Sequence, residues 1–189
     1  MMTVYYQPGY RPDRNKDDEK CFSRGHRRDD DCCRTIDCDP DKIVFKCNNI
    51  TGASGISVIA IGDIVTPRNV ANVSVPDLCC FKRPCVKIDF SAIITLSAAI
   101  AVGTTITFRV FKRCDTGDEI EIQSFDFVQG IALAVGSSIP INFSICDCDG
   151  CFEDCCVYRV TVEATETVAV ASAINVNQGT ISAFAADVC

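Results

Sequence analysis

Period-two alternation constrains this chain more than any other feature. In CVKIDF, Val86, Ile88 and Phe90 fall on one side and Lys87 and Asp89 on the other. TITFRVFK repeats the pattern through Ile106, Phe108 and Val110, and IPINFSI through Ile139, Ile141, Phe143 and Ile145. CVYRVTVE sets Cys156, Tyr158, Val160 and Val162 against Arg159, Thr161 and Glu163. Successive side chains of a strand point to opposite faces, so each block reads as a strand with one dry and one wet side. KIVFKC opens the series, EIEIQSFDF places Ile120 and Ile122 together, and VAVASAINV and GTISAFAADV close it, which predicts eight or nine strands. CDTGDE and NVNQGT separate strands as turns. ITLSAAIAVG suits a strand and turn better than a helix, because its Thr, Ile and Val favour a pleated surface. One wet face per sheet implies an all-β, antiparallel β-sandwich, with a jelly roll as the specific expectation.

The alternation begins at Lys42, and what precedes it is different in kind. Residues 1–42 hold nine Lys or Arg and ten Asp or Glu with hardly any aliphatic side chains. Such a segment cannot bury enough apolar surface to fold alone, which predicts a flexible charged N-terminal arm over 1–41 and a β-sandwich domain over 42–189. The first residues differ again: Thr3, Val4, Tyr5 and Tyr6 form a strand-prone tip, a candidate inserted strand.

Fifteen cysteines in 189 residues demand a second explanation. Cys146, Cys148, Cys151, Cys155 and Cys156 crowd into eleven positions. Structural zinc usually takes two C-x2-C knuckles, or one knuckle with histidines. Cys148 and Cys151 make one knuckle, Cys79, Cys80 and Cys85 have the wrong spacing for a second, and His26 is the one histidine. Disulfides are the better reading, with no cofactor expected. Cys47, Cys79, Cys80, Cys85, Cys114, Cys146, Cys148, Cys151 and Cys156 are candidates for bridges within the domain. Cys21, Cys32, Cys33, Cys38 and Cys189 lie in the arm or at the last residue, and are candidates for links between chains. Cys155 joins them, because its neighbour Cys156 is placed inward and adjacent strand residues diverge. An odd total leaves at least one thiol free or intermolecular.

Other chemistry is weakly supported. A net charge of −7 argues against a nucleic-acid surface. No apolar run reaches the roughly 18 residues of a membrane helix, so membrane insertion is not expected. No Ser-His-Asp or Cys-His arrangement points to an enzyme. The carboxylates Asp147, Asp149, Glu153 and Asp154 read as a solvated acidic turn, since no full calcium loop surrounds them. Asn49 and Asn72 match glycosylation acceptors but read as turn and strand residues. The start of the chain shows no Sec signal pattern.

The blocks KIVFKCNNITGASG, CVKIDFSAII, FRVFKRCDTGDEI, ICDCDGCFEDCCVYRVTV and GTISAFAADVC together resemble a cysteine-rich uncharacterised family of spore-forming anaerobic bacteria, over residues 42–189. The layout is also similar to subunits of endospore appendages, jelly-roll domains with a cysteine-bearing N-terminal connector that polymerise into disulfide-linked fibres. That likeness implies an extracellular or spore-surface location, reached by mother-cell lysis without a Sec signal. It implies a structural subunit that assembles head to tail with copies of itself, with spore-surface proteins as further partners. Two other readings stand beside it: a cysteine-rich metal-binding protein, and a carbohydrate-binding jelly-roll module. The absence of Trp and the placement of most tyrosines in the arm weigh against the second.

Overall fold

The computed structural model describes residues 43–64, 66–81, 83–100, 103–128, 134–148, 155–166 and 169–187. The expected arm, its tip Thr3–Tyr6, and Cys21, Cys32, Cys33, Cys38, Cys151 and Cys189 lie outside them. Nine strands follow in chain order: β1 (Val44–Asn49), β2 (Ala53–Ala60), β3 (Arg68–Val75), β4 (Pro84–Leu96), β5 (Thr105–Cys114), β6 (Ile120–Val128), β7 (Ser138–Asp147), β8 (Cys156–Glu166) and β9 (Val170–Asp187). Among the described residues the one helical piece is a 3-10 turn at Leu78–Cys80.

The strands form one nearly closed, barrel-like sheet with the order β6-β5-β8-β2-β9-β4-β7; β1 pairs with β9, and β3 with β8. It reads as two walls. One is β6-β5-β8-β3 and the other β7-β4-β9-β1, with β2 spanning between β8 and β9. The walls face each other through aromatic rings. Phe90 of β4 lies 5.6 Å from Phe108 of β5, and Phe143 of β7 stacks on Phe125 of β6 at 4.3 Å. Offset and tilted rings at these separations add directional attraction to the area they bury. The expected all-β sandwich is therefore present, and the inward parity of Val86, Ile88, Phe90, Ile106, Phe108, Val110, Tyr158, Val160 and Val162 is realised as full burial.

Three details depart from the sequence reading. VAVASAINV and GTISAFAADV are one continuous strand, β9, with a bulge at Gln178–Gly179 in place of a turn. Gln178 has φ 44, and opposite it β4 advances two residues while β9 advances three. The extra residue bends β9 without ending it. Gly179 is required there, since a Cβ would run into the Ser91 carbonyl oxygen. Secondly, β2 and β3 carry weaker alternation than the quoted blocks, yet both are strands. Thirdly, the sheet is not wholly antiparallel: Val58–Ala60 of β2 run parallel to Ala164–Glu166 of β8. Two register shifts against β9 and a positive φ of 65 at Gly55 bend β2, and a bent strand can leave one wall for the other.

Candidate functional site

The sulfur chemistry collects at one end of the barrel, and strand register puts it there. Cys114, the last residue of β5, is directly opposite Cys156, the first of β8, and the two are bonded. One residue beyond the pair Val86–Asp147, β4 and β7 bring Cys85 against Cys148, also bonded. These bridges span 42 and 63 residues of sequence. Loops of that length correspond to about 4 kcal/mol of stabilisation each in the chain-entropy model. Between the bridges the two walls are tied by a buried polar cluster. Lys112 of β5 and Tyr158 of β8 are cross-strand neighbours. Lys112 Nζ stands 2.8 Å from Asp147 Oδ2, and the Tyr158 hydroxyl donates to the same oxygen at 2.8 Å. Burial, then the adjacent Asp147 charge, raises the Tyr158 phenol well above its ordinary range.

That cluster is absent from the sequence reading, although it left a signal. Lys112 falls two residues past Val110, and Asp147 two past Ile145, so both charges occupy inward parity. A charge at such a position is rarely buried without a partner. The partner lies on the opposite wall, where local pattern does not reach.

The structure sorts the candidate cysteines. Cys85, Cys114, Cys148 and Cys156 are bonded within the domain. Cys79 is half-buried on the 3-10 turn. Cys155 is corrected: it is buried at 6 % exposure and disulfide-bonded, so it does not present an outward sulfur to another chain. It precedes β8 instead of lying within it, and its carbonyl accepts the Asp115 backbone N–H at 2.9 Å, which draws the residue inward. Cys47 and Cys146 are corrected in the other sense. Both are free, exposed thiols and make no bridge within the domain. Each sits at an outward position of its strand, Cys47 on β1 and Cys146 on β7.

The outer surfaces of the two walls differ. On β6-β5-β8-β3, Arg109 pairs with Glu163 at 2.8 Å and Glu121 at 3.2 Å, and Arg159 pairs with Glu119 while covering the Phe111 ring at 5.0 Å. Hydrogen bonding to Glu163 raises the Arg109 guanidinium above its usual range. On β7-β4-β9-β1, exposed Phe45 and Phe184 oppose each other across β1 and β9, with Ile43 beside them. The strands ending the sheet path, β6 and β7, pair on one side only among the described residues. Their seam is lined by Ile122, Phe125, Phe127, Ile139, Phe143 and Ile145, all half-buried against the core. Ring stacking, with no strand pairing between them, holds this seam.

Among the described residues no group of three or more His, Cys, Asp or Glu is placed to hold a metal ion. Among them, too, no helix is long and apolar enough to cross a membrane. Comparison with solved structures finds the same fold in the infectious bursal disease virus Gx strain. That match has 10% identity and a TM-score of 0.51, covering 78% of this chain and 34% of that one. The VP2 subviral particle of the same virus matches at 8% identity and a TM-score of 0.50, covering 77% and 33%. This chain thus spans about a third of the length of those proteins. No curated protein matches the sequence. The family model described as Domain of unknown function (DUF4489) matches residues 41–186, and the chain belongs to that family.

Proposed function

We propose that this member of the DUF4489 family is a structural subunit that self-assembles into an extracellular filament or spore-surface appendage. Residues 1–41 engage the neighbouring subunit, and disulfides cross-link the joint. The observation that carries this reading is the pair of open edges, β6 and β7. An unpaired edge offers a row of backbone donors and acceptors to another strand, and natural sheets normally cover or charge such edges. Here the edges flank a half-buried apolar seam. The tip Thr3–Tyr6 has the composition to add a strand there, main-chain bonds giving affinity and Val4 and Tyr6 meeting the seam. A chain whose tip fills the next copy's edge makes a heterologous contact, which propagates.

Two further observations support the reading. The body is closed by its own disulfides, which suits an oxidising exterior. The shared fold also occurs in a protein that forms a subviral particle. The purified full-length protein, kept under air without reductant, should give filaments by electron microscopy and a ladder of covalent multimers on a non-reducing gel. Deleting residues 1–10 should abolish the filaments and leave the circular dichroism spectrum unchanged. A monomer by sedimentation, with and without reductant, overturns the proposal.

A further inference from the structure

Cys47 and Cys146 share one face. Directly opposed residues in antiparallel strands point the same way, and register links two rows across the wall. The first row is Cys47, Ser182, Asp89 and Ser144, and the second is Phe45, Phe184, Lys87 and Cys146. The rows are two residues apart, so both present the outer face. The thiols therefore stand at opposite margins of one surface. Three strand spacings of about 4.8 Å and one two-residue step of about 6.8 Å separate their Cα atoms by roughly 16 Å. A disulfide needs Cα atoms within about 7 Å. The two sulfurs are exposed and free, and cannot reach each other within one chain.

The surface between them is suited to contact. Phe45 is 63% exposed, Ile43 59% and Phe184 40%. They form an apolar strip along the β1 side, and the Lys87–Asp89 ion pair at 2.7 Å lies toward β7. On the opposite wall Arg109 and Arg159 are paired with glutamates and the outward Phe111 ring lies under Arg159, and the exposed Ile120 and Val128 there both belong to the edge strand β6. Exposed aromatic side chains clustered on one face mark an interaction surface more strongly than scattered ones.

We infer that the outer face of the β7-β4-β9-β1 wall is a contact between two copies of this chain, locked by disulfides between Cys47 of each and Cys146 of the other. The inference rests on the self-assembly reading but names a second, lateral contact, separate from the arm. A second copy is the occupant because it brings, on the same face, a free thiol for each of the two. A two-fold axis lying between the stacked walls, at right angles to the line joining the thiols, places each Cys47 over the partner's Cys146. One isologous contact then makes two identical bridges. Each bridge forms by exchange with a small-molecule disulfide. The Cys47 thiolate attacks it, releasing one thiol and leaving a mixed disulfide. The partner's Cys146 thiolate then displaces the second thiol, so two electrons pass to the small disulfide and two protons are released as the protein thiols ionise and taken up by the departing thiolates.

The test uses the full-length protein with Cys21, Cys32, Cys33, Cys38 and Cys189 all changed to Ser, which silences the arm and the last residue. One sample is labelled with 15N, one is unlabelled, and the mixture is oxidised with glutathione disulfide. The inference expects a covalent band that stops at the dimer, and a linked Cys47–Cys146 peptide pair in mixed-isotope form in about half the linked molecules. Cys47→Ser or Cys146→Ser, each on the surface, should remove that band completely. A monomer band, or both thiols still open to alkylation after oxidation, overturns the inference. If the wild-type protein still forms filaments in that case, the arm-mediated assembly stands and only the lateral contact is lost. If the wild-type protein also stays monomeric, both readings fall.

Discussion

The two walls of the barrel share a core but treat their outer surfaces in opposite ways. On the β6-β5-β8-β3 side, Arg109 reaches two glutamates, and Arg159 pairs with Glu119 over the Phe111 ring. On the β7-β4-β9-β1 side, Phe45 and Phe184 are exposed as a cross-strand pair, with free thiols at both margins. The middle of the first surface pairs Arg109 and Arg159 with glutamates, and a partner would have to break those pairs, while its exposed apolar residues Ile120 and Val128 lie on the edge strand β6. The second has apolar area and sulfur left over. The difference teaches that extra cysteines in this chain are of two kinds. Those at the end of the barrel each staple two neighbouring strands of one wall, while Cys47 and Cys146 are free on the outer face of the β7-β4-β9-β1 wall.

The comparison presumes that the walls are held apart as one body, and the strongest way to break it is through their shared tie. Asp147→Ala removes the carboxylate facing Lys112 and Tyr158, whose contacts are buried. Removing one member of a buried pair leaves a charge without its counter-ion, so a loss of about 3–5 kcal/mol in denaturant unfolding is expected. Replacing the pair with Lys112→Met and Asp147→Leu together should recover most of that loss. A single substitution that costs nothing would show that the tie does not hold the walls.

A smaller effect sharpens the contrast between the surfaces. Arg109→Ala should destabilise the monomer by about 1 kcal/mol, since the pairs it breaks are partly screened. Phe184→Ser should lower the stability of the reduced monomer by about 1 kcal/mol, because the ring is 40% exposed and loses its cross-strand contact with Phe45. The same Phe184→Ser change should weaken oxidative dimer formation several-fold, and Arg109→Ala should not. Measuring both variants by urea unfolding and by non-reducing gel separates loss of stability from loss of association. Equal behaviour of the two variants on the gel would erase the distinction.

The smallest expected effect is a pH dependence on the thiol face. Partial burial works to raise the Asp89 pKa, but hydrogen bonds from Lys87 and Ser144 prevail and hold it below its ordinary 3.8. A carboxyl depressed in the folded state stabilises above its unfolded pKa, and the contribution is lost as pH falls through the lower folded value. The difference in Tm between wild type and Asp89→Asn should therefore be present at pH 5 and fade below about pH 3.8. A difference that grows on acidification would reverse the assigned sign.

Much of the body was legible in the sequence, because parity within a strand is a local property. Val86, Ile88 and Phe90, or Ile139, Ile141, Phe143 and Ile145, declare their inward side without reference to any other strand. Solvation forces the choice: apolar groups leave water, and a period of two decides which ones can do so together. Two strands escaped this reading. The Gly-rich start of β2 and its register shifts blur its period, and β3 mixes Asn with Val. The closing strand looked like two, because Asn, Gln and Gly spell a turn locally but make a bulge when β4 continues alongside.

What the sequence by itself determined, then, is the class of fold, the inward residues of most strands, and the presence of more sulfur than a domain of this size needs. Tertiary structure decided which sulfurs pair. Cys85 and Cys148 are 63 residues apart in sequence and meet because β4 and β7 are neighbours. Cys146, two residues earlier, has Lys87 as its cross-strand neighbour in place of a cysteine and stays a free, exposed thiol. Tertiary structure also decided which outer face was neutralised, since Arg109 finds Glu163 across a strand pair, 54 residues away. Alternation specifies a side for each residue but names no neighbour, and bonds form only between neighbours.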